Sequence, residues 1–263
     1  QIVYFHVQSF LKTFCILLRV KQIYQKSICL HKFPKIQMTN NGKLFIVPTP
    51  IGNLEDITYR AIETLKNVDF ALAEDTRKSS ILFKKYAITT PLKTYNINNE
   101  HKLVNKYVDD LIKGKNLALV SDAGTPSISD PGFLLIRESI KKNIEIICLP
   151  GPTALIPALV MSGLPAERFV FEGFLPKKKG RVSHLQELSN EKRTVILYES
   201  PLRVKKTLED LKEFFGSERL ISLSREISKI YEETYRGSIS DAITYFADKN
   251  PKGEFVICID KVK

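Results

Sequence analysis

Leu117–Gly132 reads LALVSDAGTPSISDPG. Its first four residues are an apolar run of strand length, bounded at once by turn residues, which predicts a buried strand. The next twelve, Ser121–Gly132, hold two Gly, two Pro, two Asp and three Ser. That composition propagates neither helix nor sheet and predicts tight turns at a strand end. An ordinary β–α connection runs about two to six residues. This one is twice as long, with Ile128 its sole apolar anchor. Loops at the carboxyl ends of parallel strands are where open α/β sheets bind ligands, so Ser121–Gly132 is read as a ligand loop.

Moving towards the N-terminus, Lys43–Val47 predicts a strand that runs into Pro48–Asn53, a turn rich in Pro and Gly. Asp56 and Thr58 are N-cap candidates for a helix over Tyr59–Asn67. Asp69–Ala73 predicts the next strand, ending in Glu74-Asp75-Thr76-Arg77, read either as ligand-facing charges or as a capped helix start. Helix is predicted over Ser79–Tyr86, strand over Leu92–Tyr95, then a polar loop Asn96–Glu100. His101–Lys113 carries a helical apolar stripe stopped by Gly114. Helix Phe133–Lys142 and strand Ile144–Leu149 follow the central loop. Strand and helix alternate about five times, which predicts a parallel sheet with helices on both faces and the four flagged loops on one edge.

Pro150-Gly151-Pro152 suits a change of direction, and the domain boundary is placed there: an N-terminal α/β domain over 38–152 and a C-terminal α/β domain over 153–263. In the second, a small-residue helix is predicted over Ala154–Gly163, with strands over Arg168–Gly173, Arg193–Tyr198, Leu220–Leu223 and Gly253–Ile259. Helices are predicted over Val204–Phe215 and Ser238–Ala247, the latter opening on a Ser/Asp cap pattern. Fewer clean helices imply a mixed sheet. Leu175–Arg181 is a basic loop with four cations in five positions.

The formal net charge is +11, and residues 1–37 supply +6 of it with no acidic residue, leaving +5 for the rest. An anionic partner is admitted by this balance but not required. Residues 1–37 lack periodicity, and their longest uncharged run is too short to cross a bilayer. They are expected to be an unstructured or non-native extension, with translation starting at Met38. Cys15, Cys29, Cys148 and Cys258 form no CxxC pair, and the four histidines are scattered. Neither a metal site nor a disulfide framework is expected, and the default compartment is the cytoplasm. Cys148 and Cys258, in apolar runs, are expected to be buried.

Several blocks recur in a known order: Val47–Leu54 (VPTPIGNL), Ala73–Arg77 (AEDTR), Asn99-Glu100, Ser121–Gly132, Leu149–Pro152, Phe171–Pro176 (FEGFLP), Tyr198–Pro201 (YESP) and Lys252–Glu254 (KGE). In this order and spacing the chain, from about Lys43 onward, resembles the ribosomal RNA small subunit methyltransferase I family. That family is a branch of the tetrapyrrole-methylase-like (class III) methyltransferases. The resemblance implies two α/β domains with a cofactor cleft between them. It implies S-adenosyl-L-methionine as cofactor, 2′-O-methylation of a cytidine in the decoding region of 16S rRNA within the 30S subunit, and a homodimer. By motif position the cofactor pocket would involve Pro50, Gly52, Ser121, Asp122, Ala123, Gly124, Thr125, Ile128, Thr153, Ala154, Phe174 and Leu175. Relatives often carry histidine in the loop before Asn-Glu. Here it reads Tyr95-Asn96-Ile97-Asn98, with no histidine for a base.

A ribose hydroxyl is a weak nucleophile, and a carboxylate within reach helps remove its proton. Asp75, Glu100 and Glu199, each on a polar loop after a strand, are the candidates. Arg77, Lys177, Lys178, Lys179, Arg181, Arg203 and Arg225 are candidates for holding RNA phosphates. Two other readings are weighed. A tetrapyrrole C-methyltransferase would favour a GxGxGD-type first loop rather than PTPIGN. A non-catalytic RNA-binding protein of the same fold would not need the cofactor loops.

Overall fold

The computed structural model describes residues 41–262, so the 1–37 extension and the Met38 start lie outside the described residues. Two five-stranded sheets follow one another along the chain. The first contains β1 (Lys43–Ile46), β2 (Phe70–Ala73), β3 (Leu92–Thr94), β4 (Leu117–Val120) and β5 (Glu145–Cys148). Its order is β3-β2-β4-β1-β5, with every pair parallel. Its helices are α1 (Tyr59–Asn67), α2 (Thr76–Lys85), α3 (Glu100–Ile112) and α4 (Phe133–Lys141).

Side chains alternate across a strand, so each central strand feeds two cores. Leu117 and Leu119 of β4 join Phe70 and Leu72 of β2 under α3 and α4. Ala118 and Val120 join Ala71 and Ala73 under α1 and α2. The helices after β1 and β4, which are neighbours, therefore lie on opposite faces. Diverging connections leave a crevice at the carboxyl ends of those two strands, the usual ligand position in open α/β sheets.

The second half begins with α5 (Leu155–Ser162), then β6 (Phe169–Phe174), α6 (Arg181–Ser189), β7 (Thr194–Glu199), α7 (Val204–Phe215), β8 (Leu220–Arg225), β9 (Glu233–Ser238), α8 (Ile239–Phe246) and β10 (Phe255–Ile259). Its sheet has the order β6-β7-β10-β8-β9, with β6 and β7 parallel and the other pairs antiparallel. The mixed sheet is thus as expected. α6, α7 and α8 pack on one face. On the other, Ala158 and Leu159 of α5 meet Ile196, Val256 and Cys258, joined by Ile51 from the loop after β1.

Local chemistry sets most boundaries. Thr58, not Asp56, caps α1, its hydroxyl accepting from the Ala61 amide, while Asp56 ends a short 3₁₀ turn. α8 opens on a full capping box between Ser238 and Asp241. Three expectations need correction. α2 begins at Thr76 rather than Ser79, because Asp75 accepts from the Arg77 amide as its N-cap. Residues read as the end of a basic loop start α6 instead. Cys148 is exposed, since β5 is an edge strand, whereas Cys258 is buried.

Leu119 is 1% exposed and stands opposite both Leu72 and Ile46. Leu119→Ala is expected to cost about 2–5 kcal/mol in urea unfolding. A loss below about 1 kcal/mol would contradict its central place in the packing.

Candidate functional site

The loops after β1 and β4 are tied where those strands diverge. Thr49 and Gly124 exchange both backbone hydrogen bonds, at 2.9 and 2.8 Å, as an isolated antiparallel bridge. The Thr49 hydroxyl donates to the Ser121 carbonyl at 3.0 Å, and the Ser121 hydroxyl to the Gly124 carbonyl at 3.1 Å. Thr125 donates to the Pro152 carbonyl, drawing in the connection after β5. Asp122 ties the loop after β2: one carboxylate oxygen accepts from the Asp75 amide at 3.0 Å, the other from Lys78 at 2.7 Å.

These loops and one edge of the second sheet enclose a cavity of about 290 Å³. Asp122, Ala123, Gly124, Thr125, Ile128, Thr153, Ala154 and Phe174 line it, all from the pocket expected by motif position. Pro50, Ser121 and Leu175 are buried and do not line it, and Gly52 is exposed beside the stem of Lys229. The second half adds Tyr198, Glu199, Glu226, Ile227, Lys229 and Glu254–Val256. Tyr198 stands edge-on to both Phe171 and Phe174.

The three carboxylates expected to take a proton are not brought together. Asp75 caps α2 and pairs with Arg77, which holds it well down, at about 2. Glu100 is the first residue of α3 and does not line the cavity. Glu199 reaches the wall but is 1% exposed and already engaged. Its oxygens accept from the Ser200 amide and the Thr207 hydroxyl, and Arg203 stands 3.3 Å away.

The carboxylates that gather instead are Glu74, Asp122, Asp130 and Glu254. Lys78 neutralises Asp122, and Lys229 neutralises Glu226. Glu74, Asp130 and Glu254 have no ion-pair partner among the described residues. Burial, followed by the charges of Glu74, Asp122 and Glu254, pushes Asp130 up to about 7. Burial and the Asp122 charge also raise Glu74. Sequence reasoning missed Asp130, although it lies in the central loop. Its partners are scattered along the chain, and folding alone places them around it.

Of the basic candidates, Lys177, Lys178 and Lys179 are exposed, and Arg77 is exposed in its pair with Asp75. Arg181 is buried, donating to Asp210, the Pro176 carbonyl and Thr207, so it braces the loop from inside and is not free to hold phosphate. Arg203 donates to the Leu175 carbonyl, and Arg225 pairs with Glu233 at 2.6 Å.

The wall chemistry fits S-adenosylmethionine. Ile51, Ile128, Ala154, Phe174 and Val256 offer apolar surface for a purine, and the unpaired carboxylates suit a molecule carrying a sulfonium and an ammonium. Gly124 has φ +82, and a Cβ there would stand 3.5 Å from Ile51, narrowing the space between the loops after β1 and β4.

Asp130 in the folded state holds its proton to a higher pH than in the unfolded chain. Stability is therefore lost as pH rises from about 4 to about 7 and stays lost above. Asp130→Asn is expected to gain roughly 2 kcal/mol over the parent at pH 8, after allowance for solvent screening, and nothing near pH 3. Equal shifts at both pH values in chemical unfolding would contradict this.

The chain matches the family model of the tetrapyrrole (corrin/porphyrin) methylases over residues 43–243. It is 50% identical over 219 residues to the ribosomal RNA small subunit methyltransferase I of Synechocystis sp., covering 83% of this chain and 78% of that protein. To the protein of the same name from Thermotoga maritima it is 46% identical over 218 residues, covering 83% and 98%. Among solved structures, a diphthine synthase superposes with a TM-score of 0.65 at 11% identity, covering 83% of this chain and 90% of that one. A cobalt precorrin-4 methyltransferase of cobalamin biosynthesis gives 0.63 at 16% identity, covering 83% and 94%. At such identities the structural likeness shows the fold alone.

Proposed function

The chain belongs to the ribosomal RNA small subunit methyltransferase I family of the tetrapyrrole (corrin/porphyrin) methylases, whose methyl donor is S-adenosylmethionine, and we propose that it methylates the ribose 2′-oxygen of a cytidine in 16S rRNA. The observation that carries the reading is the acid-walled cavity built jointly by the loops of the first sheet and the edge of the second. A homodimer acting in the cytoplasm on the 30S subunit is part of the same proposal.

When bound, S-adenosylmethionine supplies an electrophilic methyl group whose departure leaves a neutral thioether. The chain must orient the ribose oxygen, exclude water and accept the hydroxyl proton. The backbone turn Ala123–Thr125 and the apolar side chains of Ile51, Ile128 and Phe174 form the holding surface. Asp130 is the proposed proton acceptor. It lines the cavity, and its raised pKa places its ionisation near neutral pH, where a general base works best. A cation in the cavity acts against the neighbouring carboxylates and favours ionised Asp130. Lys177–Lys179, exposed beyond Phe174 at the end of β6, are proposed to meet RNA phosphates.

Incubation with methyl-labelled S-adenosylmethionine and undermethylated 30S subunits, followed by nuclease digestion, tests the reaction. Label is expected on a cytidine ribose, and none on a tetrapyrrole precursor offered in parallel. Label on a base, or on the tetrapyrrole alone, would overturn the reading. For Asp130→Asn, turnover is expected to drop about 100-fold or more. Cofactor affinity by calorimetry should fall far less than turnover, since Glu74 and Glu254 remain in the wall, and the rise of the parent's rate with pH should disappear. Parental turnover in the variant would remove Asp130 from the role.

A further inference from the structure

Strand order places four connections along one edge of the second sheet. β6 and β7 end there, β10 starts there, and β8 turns into β9 there. Along that edge come the Lys177–Lys179 loop, the cofactor cavity beside Tyr198 and Phe255, and then the β8–β9 turn facing the α8–β10 connection. The last two enclose a second cavity, of about 660 Å³. Phe246, Arg225, Tyr231, Lys249 and Lys252 line it, and Glu226 lines both cavities.

We propose that this second cavity is a nucleotide subsite for single-stranded RNA, in which Tyr231 stacks on a base next to the target nucleotide and Lys249 and Lys252 meet its phosphate. The proposal rests on the reading of RNA as substrate.

The cavity's acids are cancelled from within. Glu233 accepts from Arg225 at 2.6 Å and from the Tyr245 hydroxyl, and Glu226 accepts from Lys229 at 2.8 Å. Lys249 stands 3.1 Å over the Tyr245 ring and forms no ion pair among the described residues, though its charge also reaches Glu233. The positive charge of Lys249 and Lys252 is therefore left for an anion. Tyr231 is 72% exposed and its neighbour Ile230 95%, two large apolar side chains left uncovered among the described residues.

The turn that carries them is braced. Glu226 and Ser228 adopt left-handed φ values of 51° and 70°, a strain kept only where the surroundings enforce it. The Ser228 amide donates to Glu232 at 2.7 Å, its hydroxyl pairs with Asp56, and the Lys229 amide donates to the Glu226 carbonyl at 2.9 Å. Distance also fits. From Phe255 at the cofactor cavity to Arg225 and on to Glu233 is two strand spacings, roughly 10 Å. An aromatic platform flanked by lysines is the usual equipment for unstacked bases of single-stranded RNA.

Binding of the fluorescein-labelled full chain to 30S subunits, followed by anisotropy from about 50 to 200 mM salt, tests the subsite. Tyr231→Ala is expected to weaken binding about tenfold or more, and Tyr231→Phe to restore it. Lys249→Ala and Lys252→Ala should each flatten the slope of log affinity against log salt by about 0.7. All variants should keep parental affinity for S-adenosylmethionine. A parent that binds 30S with these variants indistinguishable from it in affinity and slope would overturn the subsite alone. A parent that does not bind 30S at all would overturn the RNA reading and the subsite with it.

Discussion

Two backbone hydrogen bonds between Thr49 and Gly124 hold the site in place. They join the loops after β1 and β4 at the point where the helices that follow leave for opposite faces of the sheet. Without that tie, a twelve-residue loop with little apolar content would be held only by the side-chain bonds of Thr49, Ser121, Asp122 and Thr125. With it, the loop sustains left-handed backbone, at Gly124 and Gly132 with φ of 82° and 138°, where glycine adopts it freely, and at Ser127 and Ser129 with 73° and 63°, where it is strained. Left-handed conformations at non-glycine residues cost about 1 kcal/mol or more each. Their concentration between Ala123 and Phe133 marks the segment whose shape is imposed by its anchors. Gly132 is held closest, since a Cβ there would stand 2.7 Å from Leu119.

Charge is sorted by position. A basic chain encloses a cavity whose wall carries six carboxylates and two amines, while the exposed Lys177–Lys179 stand outside it at the sheet edge. The sorting follows from the two ligands such a methyltransferase must hold. The cofactor brings positive charge inward, and the proposed RNA brings phosphate to the rim. Arg181, Arg203 and Arg225 are each engaged within the fold and serve the scaffold. Guanidinium groups suit that work, since several donors in a fixed plane can satisfy a carboxylate and a carbonyl together.

The first half was legible because its signals are local. Leu117–Val120 is a strand by composition, and the α3 stripe shows itself by periodicity. Parallel order alone predicts that Pro48–Asn53 and Ser121–Gly132 share an edge. Two elements of the second half were not legible. α6 presents few apolar positions, and one of its buried side chains is Arg181, whose place depends on Asp210 and Thr207. β9 is an edge strand, half-buried and polar, with a glycine inside, so no alternation betrays it. The proposed proton acceptor was illegible for a different reason. Glu100 and Asp75 look like candidates by their place after strands, yet each serves a helix start. Asp130 gains its character first from burial and then from the charges of Glu74, Asp122 and Glu254, the first and last of them 56 and 124 positions away, and no local pattern reports that environment.

The central claim is that the loops of the first sheet and the edge of the second form one cofactor site. Hydrogen–deuterium exchange with and without S-adenosylmethionine tests it directly. Slowed exchange is expected together in Thr49–Gly52, Ser121–Gly132 and Glu226–Lys229, segments that the fold alone brings into contact. Protection confined to the first half, with Glu226–Lys229 and Glu254–Val256 unchanged, would contradict the account.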